Sequence, residues 1–376
     1  MLRILHIVTH MNRGGLETMI MNYYQRIDRE LIQFDFLTHR PYDGDYGEEI
    51  KKLGGIIYHL PILNPLSRIY KKKLGKFFDD HPHYQIIHVH QDCLSSVILK
   101  VAEQHGIKVR IAHSHSASQD KDLKYPVKLF YRHFISRYAT ELIACSKAAG
   151  NWMFCGASFR VLNNAINTAE YKYDYKKRLQ TREKLQLKKD EFVVGHVGRF
   201  SPPKNHDFLI DIFYQLKLLH PNSKLLLVGD DRGELANKIK HKVRESGFSD
   251  SVIFTGLRKD VTDLMQAMDV FVFPSFYEGM PVTLIEAQAS GLPCVISDKV
   301  PIECKKTELV QQMSLTSSAA EWAKLIIKKG RETVRQDTSD LIKKAGFDIG
   351  DNAKWLQQYY LEKAEKIARQ EHNESI

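Results

Sequence analysis

Long apolar runs are missing from this chain of 376 residues. No stretch approaches the roughly 18 consecutive apolar residues of a membrane-spanning helix. Peripheral contact is therefore the most a bilayer is expected to have with it. The start, "MLRILHIVTHMNRGG", lacks the cationic, apolar and small-residue order of a secretory signal. It reads as a buried strand, Leu2 to Val8, running into a polar loop, and a cytosolic location is expected. Paired cysteines are missing too. Cys93, Cys145, Cys155, Cys294 and Cys304 are odd in number, and no two have CxxC spacing. That excludes a disulfide framework and leaves free, mostly buried thiols in a reducing compartment. Zinc-finger, RRM and homeodomain signatures are absent, so no nucleic-acid partner is expected. A GxGxxG dinucleotide fingerprint and an internal repeat of 20–50 residues are absent as well.

With 43% hydrophobic and 27% charged residues, the chain has the balance of a water-exposed globular protein. Its length exceeds what one hydrophobic core usually supports, so two domains are the default. The formal charge of +10 is unevenly spread. Residues 1–165 hold 22 Lys/Arg against 15 Asp/Glu, whereas residues 166–376 hold 33 against 30. The excess concentrates in "RIYKKKLGK" (68–76) and "KDLKYPVKLFYRHFISR" (121–137). The second mixes cations with Tyr125, Leu129, Phe130, Tyr131, Phe134 and Ile135. Such a segment can lie on an anionic membrane surface, or pack as an amphipathic helix on its own domain.

Strand-like runs alternate with helical patterns throughout. In the first half they are residues 3–10, 34–39, 56–61, 85–90, 109–115 and 141–146, with "FRVLNNAI" (159–166) closing it. Residues 167–191 are polar and read as a linker with a surface helix. A second series follows at 192–199, 224–230, 251–256, 270–275 and 293–297. Strands separated by helices indicate parallel βαβ units. The expectation is two doubly wound domains, 1–167 and 168–351. A terminal helix over 352–376 carries an apolar stripe at Trp355, Leu356, Tyr359, Tyr360 and Ala364 and is expected to pack back on the first. In open parallel sheets ligands bind beyond the carboxyl ends of the strands, so the loops just after strands hold the chemistry, and the expected site is a cleft between the two sheets.

After the first strand, Gly14-Gly15 permits a close backbone approach at a helix start, where a phosphate or substrate oxygen could bind. Later strands end in "HVH" (His88, His90) and "HSH" (His113, His115). Three readings stand open: metal ligands, lining histidines that hydrogen-bond a sugar or phosphate, and satisfied structural histidines. No cluster of acids completes a ligand set, Asp92 being the sole candidate. In the second half, Arg199 and Lys204 flank "GRFSPPKN" at the start of a helix near Asn205 or His206, an anion site of diphosphate size. The backbone at Gly256, Leu257 and Arg258 is placed to edge a flat base. The stretch "FYEGMPVTLIEAQASG" (276–291) is a strand exit followed by a helix, with Pro281 in its first turn and Gly291 as its stop. Its carboxylates, Glu278 and Glu286, are acceptors for hydroxyl pairs. A paired-carboxylate hydrolase competes, but gives Arg199 and Lys204 no role.

Together these residues resemble the retaining glycosyltransferases of family 4, of GT-B architecture, and the resemblance covers nearly the whole chain. Its most specific part is the Glu-x7-Glu element, Glu278 to Glu286; "GRFSPPKN" is similar to the family's diphosphate element and "GGLE" to its glycine loop. The resemblance implies that Arg199, Lys204 and Gly15 hold the donor diphosphate and Glu286 the ribose. Glu278, Gly279, Met280 and Pro281 would hold the transferred sugar, with Glu278 among the catalytic groups. His113 or His115 would stand near the reacting carbon, with His90 on the acceptor side. The basic composition and the two His-x-His pairs are most similar to bacterial exopolysaccharide and capsule enzymes. The implied activity moves a hexose or N-acetylhexosamine from a UDP-linked donor to a lipid-carried oligosaccharide. No metal or other cofactor is implied, and the implied location is the cytoplasm, peripheral on the inner membrane face. A nucleotide-sugar epimerase of the same layout is the alternative. Residues 298–315 lack the glycine-rich turn many members carry there.

Overall fold

Buried strands alternating with amphipathic helices build two parallel sheets. The structure is a computed structural model, and it describes residues 1–116 and 124–374. Part of the basic stretch, 121–123, lies outside the described residues. The first sheet contains β1 (Leu2–Val8), β2 (Ile32–Thr38), β3 (Ile57–His59), β4 (Ile86–Val89), β5 (Val109–Ser114), β6 (Glu141–Ala144) and β7 (Arg160–Val161). Its order is β3-β2-β1-β4-β5-β6-β7, parallel at every pairing. The second contains β8 (Phe192–Val197), β9 (Ser223–Val228), β10 (Val252–Phe254), β11 (Val270–Phe273), β12 (Cys294–Ser297) and β13 (Val310–Met313), ordered β10-β9-β8-β11-β12-β13. Both are doubly wound. The order reverses between β1 and β4 in one sheet and between β8 and β11 in the other, which makes those crevices the ligand positions.

The sequence reading finds all of these strands but β7, which lies in the segment it reads as a closing tail, and β13. "VQQM" is half polar because an edge strand faces other residues on one side only. Residues 167–191 hold the expected surface helix, Tyr175–Lys184, most of whose residues are exposed. It also anchors Arg178 and the buried Arg182 on the backbone carbonyls of Ala267 and Met268. The five N–H donors of each guanidinium suit clustered carbonyls.

The chain divides after Ala165 and after Asp348, close to the expected 167 and 351. The amino-terminal unit is discontinuous, because residues 349–376 return to it. The helix Ile349–Glu374 buries Leu356, Tyr359 and Tyr360 against Ile4, Phe34 and Ile111, with Trp355 and Ala364 packed beside them. That stripe is the expected one. Each fully buried large side chain of this kind contributes on the order of 1.5–3 kcal/mol. The carboxyl-terminal unit has cores on both sheet faces, including Phe271, Phe273 and Ile296 on one and Val272, Trp322 and Phe213 on the other. All five cysteines are free; four are buried and Cys155 is exposed. Among the described residues, no helix is long and apolar enough to cross a membrane.

Candidate active site

In the carboxyl-terminal unit the sequence-predicted residues come from two neighbouring strand ends. β8 runs into Gly198 and the exposed Arg199, then a short turn, Pro202–Lys204. Asn205 takes a left-handed conformation (φ 54°) and donates from Nδ2 to the Pro274 carbonyl, 3.0 Å away, which fixes the start of helix His206–Leu219. That bond ties the loop after β8 to the loop after β11. Glu278 lies in the second loop, and its Oε1 is 2.7 Å from Lys204 Nζ. Both side chains are largely buried, and Lys204 Nζ also lies 4.5 Å from the Phe273 ring centroid. The expected diphosphate cation and the expected sugar carboxylate are therefore partners. A phosphate and a sugar hydroxyl could each replace one half of this pair.

Gly279 is exposed and Met280 half-buried, while Pro281 caps helix Val282–Ala289 rather than sitting inside its first turn. Gly291 (φ 65°) follows the helix end. Glu286 is half-buried on this helix and accepts a 2.7 Å bond from the Tyr171 hydroxyl. Burial pushes the Glu286 carboxyl up, and the tyrosine bond opposes that rise. Tyr171 is one residue that the sequence reading missed. It sits in the polar stretch after the first domain, where nothing in the local pattern marks it.

On the other side of the switch point, three backbone turns touch. The Gly229 amide donates to the Gly256 carbonyl at 3.1 Å. A Cβ on Gly229 (φ 153°) would stand 2.1 Å from the Gly198 carbonyl oxygen. Only glycine permits that approach. Leu257 and Arg258 are exposed, and the Arg258 guanidinium is held by Asp260 at 2.6 and 2.7 Å.

In the amino-terminal unit, the glycine loop leads into helix Gly15–Tyr24. The steric constraint falls on Gly14, whose Cβ would meet Glu17 Oε2 at 2.3 Å, whereas Gly15 has open space. Glu17 is buried, 3.2 Å from His10 Nδ1, and burial pushes its carboxyl up.

The histidines gather more closely than their spacing announced. β1 pairs His6 with His88, and β4 stays regular, so period-2 alternation puts His6, His88, His90, His113 and His115 on one sheet face. Strand spacing of about 4.8 Å then stacks rings across the strands: His6 on His88 and His88 on His113, each with centroids 5.1 Å apart. Along the chain, His88 and His90 centroids are 4.4 Å apart, and those of His113 and His115 4.0 Å. His90 bonds His6 at 3.1 Å through Nε2 and His115 at 2.8 Å through Nδ1. His88 bonds His113 at 3.1 Å and the Tyr360 hydroxyl at 2.5 Å. Desolvation holds all five well below the usual imidazole range, to about 3 for His6 and for His115. They are neutral. His113 lies inside β5, and His115 just beyond its carboxyl end. His6 escaped the sequence reading because a single histidine in an apolar strand carries no spacing signal.

Residues 13–170 match the family described as Glycosyltransferase Family 4, and residues 177–311 match Glycosyl transferases group 1. The chain belongs to the family 4 glycosyltransferases, of GT-B fold. Among its relatives is the glycosyltransferase-named EpsF of Bacillus subtilis (strain 168), 33% identical, with 97% of each chain covered. The UDP-Gal:alpha-D-GlcNAc-diphosphoundecaprenol alpha-1,3-galactosyltransferase of Escherichia coli is 28% identical over 57% of this chain and 58% of that one. Among solved structures, Anabaena HepE in complex with UDP superposes with a TM-score of 0.77 at 19% identity, covering 96% of this chain and all of that one. HepE is also known in complex with UDP-glucose, with a TM-score of 0.73 at 20% identity and coverage of 98% and 100%.

Proposed function

We propose that this glycosyltransferase moves a hexose or N-acetylhexosamine from a UDP-sugar to a lipid-carried saccharide, with retention at the anomeric carbon. The observation that carries the reading is the Lys204–Glu278 pair at the β8–β11 switch point. The names of two relatives support the chemistry: HepE was solved with UDP and with UDP-glucose, and the E. coli enzyme is named for a UDP-galactose donor and a diphosphoundecaprenol acceptor.

As the sugar–phosphate bond breaks, negative charge grows on the diphosphate. Lys204 leaves Glu278 for the arriving phosphate, and Arg199, exposed beside it, adds a second cation. Such preorganised charge is worth most where water is excluded, and it does the work without a metal ion. Gly15, at a helix start of the amino-terminal unit, offers backbone amides suited to an anion. Glu278, released from Lys204, accepts from sugar hydroxyls together with the backbone at Gly279, Met280 and Pro281. Glu286, oriented by Tyr171, takes the ribose diol, and the turn at Gly256, Leu257 and Arg258 edges the base. His115, just beyond the end of β5, is the histidine assigned to the reacting carbon, with His113 as its support and His90 assigned to the acceptor. The departing phosphate accepts the acceptor's proton, and no protein nucleophile forms an adduct.

A lipid-carried acceptor fits the amino-terminal surface. Ile62, Leu66 and Ile69 are 67–75% exposed beside the run Lys71 to Lys73. Phe130 is 60% exposed on the basic helix Tyr125–Arg132, while Arg132 itself packs on the Trp152 ring at 4.9 Å. Apolar side chains among cations suit an anionic leaflet.

The test is nucleotide release from a panel of UDP- and GDP-sugars, with and without membrane lipid extract. The expected result is UDP release that depends on the extract and survives EDTA. Release confined to GDP-sugars would overturn the donor, and a trapped glycosyl–protein adduct would overturn the mechanism. Co-sedimentation with anionic vesicles, unchanged on replacing Lys71, Lys72 and Lys73 by Ala, would overturn the membrane contact.

A further inference from the structure

The five-histidine face holds more donor atoms than its internal hydrogen bonds use. A neutral imidazole offers one N–H and one lone pair. Among the described residues, His6 Nε2, His113 Nε2 and His115 Nδ1 are buried without a partner. Leaving a buried polar atom unmet costs about 1–3 kcal/mol each, so three on one face call for an explanation. Two triads bring one ring nitrogen from each member within 4.8 Å of the others: His6–His88–His90, and His90–His113–His115.

The two triads are not equivalent. The first is fully buried, and only one of its members carries an unmet nitrogen. In the second, both His113 and His115 carry one, and His115 is half-buried just beyond the carboxyl end of β5. A tetrahedral centre with metal–nitrogen bonds of about 2.0–2.1 Å spaces its ligand atoms about 3.3 Å apart. From within 4.8 Å of one another the three nitrogens must close by up to about 1.5 Å to reach that spacing, and His90 must give up its bond to His6 or to His115.

We propose that His90, His113 and His115 form a binding site for a divalent cation of the zinc class. The donor set decides the chemistry. Three neutral imidazoles without a carboxylate suit zinc, cobalt, nickel or copper and reject magnesium and calcium, which require oxygen. Three protein ligands leave a fourth position for water, as in an open zinc site. The cation takes no part in sugar transfer as described above. It consumes the lone pairs of His113 and His115, so its occupancy and their use toward the sugar are mutually exclusive. Binding itself stands independently of the transferase reading.

The test uses the full chain, stripped with EDTA, dialysed, and titrated with CoCl2 while the visible absorption of tetrahedral cobalt is followed. ZnCl2 then competes the cobalt out, and isothermal titration gives the stoichiometry. One ion per chain is expected, with no response to MgCl2. His115→Gln should weaken cobalt binding at least about 100-fold, since one of three ligands is lost. His6→Phe keeps all three ligands but removes the 3.1 Å hydrogen bond to His90, and should weaken binding only about 10-fold. Far-UV circular dichroism establishes that each variant folds; if His6→Phe does not, the His115→Gln and His113→Gln pair decides alone. Absence of a cobalt spectrum in the wild type overturns the site. So does unchanged binding in His115→Gln, which would assign the ion to surface pairs such as His59–Asp43 or His105–Asp79.

Discussion

Mild acid should unfold the amino-terminal unit well before the carboxyl-terminal one, and the histidine face sets the size of the effect. His6 and His115 are held down to about 3, and His88, His90 and His113 well below their ordinary value, all by burial. Because the folded-state values lie below the unfolded one, the unfolded chain takes up protons first as the pH falls. The stabilisation is complete above about pH 6.5 and is lost progressively toward the folded values. At pH 5.5 each such histidine costs about 1.4 kcal/mol relative to pH 8, so five cost about 7 kcal/mol. At pH 6.0 the total is about 4 kcal/mol by the same relation. Since a domain is stable by only about 5–15 kcal/mol, the smaller figure is already serious. In the carboxyl-terminal unit His196 and His206 are the buried histidines held down in this way, so its loss is less than half as large. Hydrogen exchange read by mass spectrometry at pH 7.5, 6.5 and 5.5, corrected for the intrinsic rate, separates the two. Protection of β1, β4 and β5 should fall by up to about five decades at pH 5.5, and that of β8 and β11 by no more than about two. Undiminished protection of β1, β4 and β5, or an equal fall in both units, would refute the reasoning.

Other expectations concern single side chains. Lys204→Ala removes one leaving-group cation and strands Glu278, and should lower kcat about 10²–10³-fold. Lys204→Arg should recover part of that, and full activity in the alanine variant would contradict the diphosphate role. Tyr171→Phe deletes one hydrogen bond to Glu286, worth about 1 kcal/mol; a roughly fivefold rise in donor KM with kcat little changed is expected from initial rates. Gly229→Ala drives a methyl group onto the Gly198 carbonyl at a positive φ, costing about 1–3 kcal/mol or more; thermal melting should shift down by several degrees. Tyr360→Phe leaves buried His88 Nδ1 without its partner, and should cost about 1–3 kcal/mol in urea titrations.

The fold was legible in the sequence because both signals it rests on are local. Apolar strand cores such as "LLLV" and "VFVF" and the helical runs between them fix a βαβ series without knowledge of the partners. β13 failed that test because its polar residues face outward at a sheet edge. The site was legible where it follows strand ends: Arg199, Lys204, Glu278 and Glu286 could each be singled out from their position alone. What pairs them could not. The Lys204–Glu278 bond spans residues 74 apart, and the Tyr171–Glu286 bond 115; no spacing rule reaches across such distances. The histidine face shows the same limit. Its two His-x-His pairs are visible in the sequence, but His6 joins them only through the β1–β4 register.

The discontinuity of the amino-terminal unit has a consequence during synthesis. The ribosome releases the chain from the amino end, and domains fold as their residues emerge. The carboxyl-terminal unit, contiguous from Ile166 to Asp348, has all its parts as soon as it leaves the ribosome. The amino-terminal unit, begun first, must wait for the last helix. Until Leu356, Tyr359 and Tyr360 arrive, Ile4, Phe34 and the histidine face lie open to water. A nascent chain stalled before residue 349 should therefore be cut by protease within residues 1–165 and resist it in the unit made later. Of the two units, the one begun first is the one finished last.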